Sequence, residues 1–234
     1  MAVAVAQLPA LAQPVAMAGE RLLPVLGPLE PLFPTRGLKR GSVVSVAGST
    51  SLSVALLAAA SAQGSWCAAV GMPALGLAAA AELGVALERF PLVPSPGRVA
   101  GAGGWAWVVA ALIDACDVVL ARSPRRLGGA DARRLTARVR ERGAVLVVAG
   151  QWPEAAEVQL TVASSTWEGL GQGYGRLLGR RVEVVAGGRG AAARERRVSL
   201  WLPHPDGGIK EVAPCTNGVE VVGERRAHAR RVVS

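Results

Sequence analysis

The sequence predicts an α/β fold: a doubly wound, mainly parallel sheet with helices on both faces, extended by antiparallel strands near the C-terminus. Between residues 41 and 151, apolar runs alternate with helical stretches, and each run is nearly continuous, as in strands buried on both faces. After Trp152 the strand patterns follow one another without helices. The composition is 51% hydrophobic but only 4% aromatic, which suits α/β layers better than an aromatic-rich β-sandwich.

The elements can be assigned in chain order from the periodicity and the turn residues. The first strand is "SVVSVAG", followed by a helix over residues 51–63 and the strand "SWCAAVG". "MPALGLAAAAELG" predicts a helix with Pro73 near its start and Gly84 at its end. Then come the strand "RFPLVPSP", the helix "WAWVVAALIDAC", the strand "DVVLARSP", the amphipathic helix "GADARRLTARVRERG" and the strand "AVLVVAGQ". The antiparallel strands are "EVQLTVASS", "GRRVEVVAGG" and "RERRVSLWLP".

Three segments are predicted: a Pro-rich N-terminal arm (1–34), an α/β core (35–205) and a basic C-terminal tail (206–234). Six prolines prevent one long helix in the arm. Its stretch "ERLLPVLGPLEPLF" holds many large apolar groups in a segment too short to fold alone. We therefore expect it to dock, either on its own core or on another protein.

The net charge of +9 lies entirely in the second half of the chain. Residues 1–120 hold six basic and six acidic side chains, whereas residues 121–234 hold twenty and eleven. A one-sided basic field attracts polyanions or an acidic partner. Scattered arginines on a solvated surface explain the same pattern, and both interpretations stay open.

Several classes of protein are disfavoured. The longest apolar stretch, 66–81, is interrupted by Gly71, Pro73 and Gly76, whereas a membrane-spanning helix needs about 20 apolar residues. The start of the chain lacks the basic region of a secretory signal, so a cytoplasmic protein is expected. The three cysteines and two histidines form no metal-ligand or disulfide pattern, and no cofactor is expected.

The stretch from residue 42 to 62 has the outline of a strand, phosphate loop and helix. A working phosphate loop, GxxxxGK[ST], needs a second glycine and a lysine that neutralises phosphate charge. Gly48, Ser49, Thr50 and Ser51 form a degenerate loop with neither. The simplest role of its hydroxyls is to cap the following helix, although a helix N-terminus also attracts anions.

The second nucleotide signature is also missing. A carboxylate that orients Mg²⁺ is expected at the end of "DVVLARSP", but Ala121 and Arg122 stand there, and Asp114 and Asp117 precede the strand. An arginine cannot ligate a cation, so hydrolysis by the usual route is predicted to be lost. We expect a protein that is not an enzyme.

The order of these elements resembles the core of the RecA-type recombinases over roughly residues 29–202. The segments that carry the resemblance are "LEPLFPTRGLKRGSVVSVAG", "AELGVALERFPLVPSP", "CDVVLARSP" and "ADARRLTARVRERGAVLVVAGQW". The resemblance implies a RecA-like fold. It also implies that Gln151 matches the glutamine by which that family links nucleotide state to its DNA-binding loops.

The departures from that family point to one branch. A RecA-like chain without the lysine and the carboxylate, rich in Ala and Arg, resembles the actinobacterial ImuA′ type of SOS mutagenesis protein. This implies a non-catalytic accessory role in a translesion-synthesis complex, with an ImuB-like Y-family adaptor and an error-prone polymerase as partners. Single-stranded DNA and self-association are further candidate interactions.

"GQGYGRLLGRR" and its surroundings supply the DNA-binding candidates. Tyr174 offers a stacking ring, and Arg176, Arg180, Arg181 and Arg189 offer phosphate contacts, a mixture found in single-strand binding proteins. The alternative is a glycine-rich hairpin turn with Tyr174 packed inward. The helix with Leu135 and Val139 on one face is expected to be an exposed helix packed by that stripe. Core positions are expected for most tryptophans, with Trp105 and Trp107 as candidates for a partner contact.

Two other functions stay open. One is a divergent nucleotide-dependent ATPase in which Lys39 or Arg122 replaces the missing charge. The other is an SOS-linked inhibitor of cell division.

Overall fold

The computed structural model describes residues 22–96, 104–170 and 175–212. The helices are α1 Thr50–Ala62, α2 Leu77–Glu82, α3 Gly104–Ala115 and α4 Gly129–Arg142, with short 3-10 turns at Gly27–Leu32, Leu87–Arg89 and Gly190–Ala192. The strands are β1 Leu22–Leu23, β2 Leu38–Lys39, β3 Val43–Ala47, β4 Cys67–Val70, β5 Leu92–Val93, β6 Val118–Arg122, β7 Val145–Ala149, β8 Val158–Leu170, β9 Gly175–Gly188, β10 Arg196–Trp201 and β11 Lys210–Glu211.

A nine-stranded sheet organises the chain in the order β11-β10-β9-β8-β3-β7-β6-β4-β5. The strands from β8 to β5 run parallel to one another, while β8 to β11 form an antiparallel extension. The expected α/β class is confirmed, with a mostly parallel sheet and antiparallel strands towards the C-terminus. β1 and β2 form a separate small sheet.

Helices cover both faces of the parallel strands. The residues of β6 from Val118 to Ala121 are all apolar because both faces of this strand are buried. Val118 and Leu120 belong to one of two buried apolar clusters, and Val119 and Ala121 belong to the other. The first cluster is formed with α1, and the second with α3 and α4. Such strands have no solvent face, so periodicity of two disappears from their sequences.

Two helices show how local sequence sets their limits. In α4, Leu135 and Val139 are buried, which confirms the predicted apolar stripe, and Gly143 ends the helix in the left-handed conformation at φ 67°. α2 is shorter than predicted. It begins at Leu77 because Gly76, its N-cap, is extended, with φ −72° and ψ 101°. The turn after Pro73 is therefore not part of the helix.

The described part of the predicted arm, residues 22–34, packs on the body of the protein. Leu29, Leu32 and Phe33 are buried in the same cluster as α1, and β1 pairs with β2. This segment therefore docks on its own core, and the predicted limit at residue 34 falls inside a packed region. In the predicted tail, β11 pairs with β10.

None of the helices in the described ranges combines the length and the apolar character that crossing a membrane requires.

Candidate functional site at the carboxyl edge of the sheet

The carboxyl ends of β3, β4, β6 and β7 meet at one edge, where doubly wound sheets bind their ligands. The degenerate loop after β3 lies there, beside the ends of β6 and β7. Together they form a cavity of about 240 Å³. Its lining residues are Val46, Gly48, Ser49, Thr50, Arg122, Ala149 and Gly150.

The loop keeps the backbone shape of a strand-to-helix turn. Gly48 has φ +85°, and a Cβ there would lie 3.4 Å from Cβ of Val162, so the turn suits glycine. Ser49 is the N-cap of α1, because its Oγ accepts a hydrogen bond from the Leu52 N–H at 3.1 Å. The predicted capping role of the loop hydroxyls is confirmed, and one of the amide groups that could bind an anion is already satisfied.

Arg122 occupies the position next to the loop where a metal-orienting carboxylate was expected. Its Nη2 lies 3.3 Å from Oγ1 of Thr50, and it donates to this oxygen. Its carbonyl accepts a hydrogen bond from Trp105 Nε1 at 2.9 Å, which ties the end of β6 to α3. The residues that line the cavity include neither lysine nor a carboxylate. The cavity can therefore attract an anion through one guanidinium, but it offers Mg²⁺ no charged ligand.

Lys39, the other candidate for the missing charge, lies at the opposite edge. It follows the docked N-terminal segment and precedes β3, and its Nζ pairs with Glu157 Oε1 at 3.2 Å. The topology thus leaves Arg122 as the one of these two cations that reaches the loop.

The acidic residues before β6 hold the fold together. Asp117 pairs with Arg40 at 2.9 Å and accepts the Trp66 N–H at 3.1 Å. Asp114 accepts hydrogen bonds from Arg138 and Arg142 of α4, and the bond from Arg138 lowers the pKa of this carboxyl. These carboxylates join α3, β6 and α4 instead of facing the cavity.

Gln151 lies at the same edge, in the loop after β7. It is exposed and lines a second cavity, of about 500 Å³, with Ser123, Arg125 and Trp152. The structure therefore brings Gln151 and the degenerate loop to one edge, and places them in adjacent cavities.

The predicted DNA-binding residues divide between two edges of the sheet. β8 is parallel to β3 and continues for nine residues beyond Thr161, the last one paired with β3. The hairpin of β8 and β9 therefore extends on the carboxyl side, and it carries Arg176, Arg180 and Arg181. Arg189 follows β9 at the amino edge and donates to the Ala155 carbonyl. Tyr174 lies outside the described residues.

The hairpin also carries exposed apolar side chains that the sequence analysis did not single out. Trp167 is 43% exposed, and Leu170, Leu177 and Leu178 are 61%, 53% and 46% exposed. The signal was present in the sequence, because "TWEGL" continues the strand pattern of "EVQLTVASS" and "GRLL" precedes "GRRVEVV".

The tryptophans mostly occupy intermediate positions. Trp66, Trp105 and Trp152 are partly buried against the cluster formed with α3 and α4. Trp107 is 64% exposed on α3, as a partner contact would require. The expectation of core positions for most of them was wrong in its strict sense, because all six are intermediate or exposed.

Fold and site together define a doubly wound α/β protein with a strand–loop–helix turn that lacks the second glycine and the lysine of a phosphate loop. A family model described as the MT3502 N-terminal domain matches residues 31–154. The chain is also 35% identical over 172 residues to the uncharacterized protein Rv3395c of Mycobacterium tuberculosis H37Rv, an alignment covering 70% of this chain and 81% of that protein. The chain belongs to the family that carries the MT3502 N-terminal domain.

Proposed function

We propose that this protein is a non-catalytic, RecA-like accessory protein of the actinobacterial ImuA′ type. It joins an SOS translesion-synthesis complex by binding an ImuB-like Y-family adaptor and an error-prone polymerase. The family relationship to a mycobacterial protein fits this group. The order of the sequence segments that resembles the RecA-type recombinases, and a mostly parallel sheet with helices on both faces, support the same assignment.

The observation that carries the proposal is the state of the loop after β3. Its backbone turn and helix cap are intact, but Arg122 contacts the Thr50 hydroxyl where Mg²⁺ chemistry would need an unobstructed oxygen. A chain with this arrangement retains the architecture of a nucleotide-binding core, and its function lies in contacts with other molecules.

Mutation frequency after DNA damage tests the proposal. A strain lacking the gene is complemented with the wild type, with Thr50→Ala, with Arg122→Ala or with Arg125→Ala, the last an exposed control in the adjacent cavity. A non-catalytic scaffold restores damage-induced mutagenesis in all four cases. Failure of the wild type to restore it, or failure to bind the adaptor and polymerase of its own cell, contradicts the proposal.

A nucleotide-binding protein is the second candidate, because Arg122 brings a positive charge to the loop. In that case Arg122→Ala and Thr50→Ala reduce mutagenesis while Arg125→Ala does not. Calorimetry with ATP and Mg²⁺ then gives saturable binding to the wild type that Arg122→Ala weakens. Filamentation on overexpression with unchanged mutation frequency indicates a division inhibitor instead.

DNA contact is a secondary part of the proposal. Gln151 and the hairpin arginines lie on the carboxyl side of the sheet, where a single strand of DNA can contact both. Arg189 follows the other end of β9, too far away to contact the same DNA segment. If single-stranded DNA binds at this edge, neutralising Arg176 reduces the salt dependence of that binding and neutralising Arg189 does not.

A further inference from the structure

The end of the β8–β9 hairpin is an exposed surface with a distinctive composition. We call residues 166–170 and 175–181 the distal hairpin. β8 loses β3 as a neighbour after Thr161, and β9 pairs with β10 only as far as Arg181, while the Arg180 N–H donates to the carbonyl of Pro203, just after β10. Beyond this point, within the described residues, the two strands have only each other as sheet neighbours.

Both faces of the distal hairpin carry apolar side chains. The pairing of Trp167 with Arg180 places Leu178 on the same face as the indole, since residues two apart in a strand share a face. Leu170 pairs with Gly175, so it shares the other face with Leu177. One tryptophan and three leucines are exposed to solvent at one end of the hairpin, where they contribute no burial of apolar surface to folding. Clustered exposed apolar side chains of this kind mark interaction sites.

The arginines are held beside these apolar groups. The guanidinium of Arg180 lies 5.9 Å from the centre of the Trp167 ring, and that of Arg181 lies 4.7 Å from Trp201. Arg181 also pairs with Glu168 at 2.7 Å. Arg176 is exposed at the start of β9. With three arginines and one glutamate, the described part of the distal hairpin carries a net positive charge, and each of its two faces combines apolar side chains with arginine.

We propose that the distal hairpin docks a protein surface that has an apolar centre and a rim of Asp and Glu. Single-stranded DNA fits less well, because leucines offer no ring on which bases can stack and Arg180 already lies over the Trp167 ring. Tryptophan and arginine are the residues that dominate protein interfaces, and opposite charges steer the two surfaces together. The inference rests on the proposed function, since it assigns the scaffold a docking surface.

Site-specific photo-crosslinking in the native cell after DNA damage tests it on the full chain. A crosslinking amino acid replaces Leu177 or Leu178, and in control strains it replaces Leu77 or Leu87, which are leucines of similar exposure (42% and 41%). We expect protein adducts at the hairpin positions alone, joined to a partner segment rich in apolar and acidic residues. Adducts with DNA, adducts to a basic segment, equal adducts from the controls, or none at all overturn the inference.

The identity of the adduct separates this inference from the proposed function. An adduct with the adaptor or polymerase supports both. An adduct with another acidic protein supports the docking surface and counts against the translesion-synthesis role.

Affinity for the recovered partner, purified, gives the second readout. Leu177→Ser with Leu178→Ser is expected to weaken binding at least about tenfold, while Leu77→Ser with Leu87→Ser changes it less than about twofold. Arg176→Glu is expected to slow association and weaken its salt dependence, whereas Arg134→Glu on α4 changes both much less. Equal losses for the hairpin and control variants, with unchanged thermal unfolding, refute the docking surface.

Discussion

The parallel half of the sheet and its antiparallel extension are built on opposite principles. Central strands β6 and β7 are buried on both faces, with 0% exposure from Val118 to Ala121. β8 starts with alternating buried and exposed residues, so only one of its faces is covered there, and the distal residues of β8 and β9 are exposed on both faces. Helices cover both faces of the parallel strands, whereas the distal parts of β8 and β9 extend beyond the elements that pack on the sheet. One region supplies stability, and the other supplies surface for contact.

Thiol reactivity gives the largest expected difference between the two regions. Burial, the main cause, raises the pKa of Cys67 and of Cys116 to about 12. At pH 8 this alone lowers the thiolate fraction about a thousandfold relative to an ordinary cysteine. In a Cys215→Ser chain both thiols are expected to resist Ellman's reagent until denaturant is added, while a cysteine at Leu177 reacts at once. Rapid native labelling of Cys67 and Cys116 contradicts the buried core.

Truncating a central leucine is expected to separate the regions by several kcal/mol. Leu120 is fully buried in β6, so Leu120→Ala is expected to lower the free energy of unfolding by about 2 to 5 kcal/mol. Leu178→Ala, in the distal hairpin, is expected to change it by less than about 0.5 kcal/mol. Urea denaturation measures both. Similar losses would mean that the hairpin belongs to the cooperative core.

The ion pair between Arg40 and Asp117 connects the segments that precede β3 and β6 at the amino edge of the parallel strands. The two side chains are 15% and 12% exposed, so Asp117→Ala leaves the Trp66 N–H without its acceptor and leaves the Arg40 cation with only the more distant Gly143 carbonyl. We expect a loss of about 3 kcal/mol. Asp131→Ala, which removes a solvated pair with Arg134, is the control and is expected to cost about 1 kcal/mol or less. A small effect of Asp117→Ala would show that water replaces the carboxylate there.

Asp114 gives a smaller, pH-dependent effect. Because the hydrogen bond from Arg138 lowers its pKa in the folded state, this carboxylate stabilises the fold above its unfolded pKa of about 3.8. The contribution is lost as the pH falls through the lower, folded value. The stability of wild type minus that of Asp114→Asn is thus expected to be positive at pH 7 and to shrink below about pH 4. A difference independent of pH would mean that only packing was altered.

The architecture could be predicted because its signals are local or repetitive. Near-continuous apolar runs such as 145–149 are typical of strands covered on both faces, and the burial of Leu135 and Val139 follows from their spacing. Ser49 could be expected to cap α1 because it immediately precedes the helix. The length of the hairpin was underestimated, since strands exposed on both faces lose the alternation that identifies them.

The candidate site could be predicted only in part. The sequence pointed to Arg122 and to Lys39 as replacements for the missing charge and could not choose between them. The order of strands decides, since it brings β6 close to the loop after β3 and leaves Lys39 at the other edge. It likewise separates Arg189 from the hairpin arginines, which lie nearby in the sequence.

The sequence by itself determined the types of the elements, the burial of the central strands on both faces and the absence of a lysine from the loop, because each depends on side chains within a few residues of one another. Only the tertiary structure decided which cation contacts Thr50 and which apolar residues stay exposed. Those properties depend on the path of the sheet, on which strands become neighbours and on where the helices stop covering them, and segments far apart in the chain set that path.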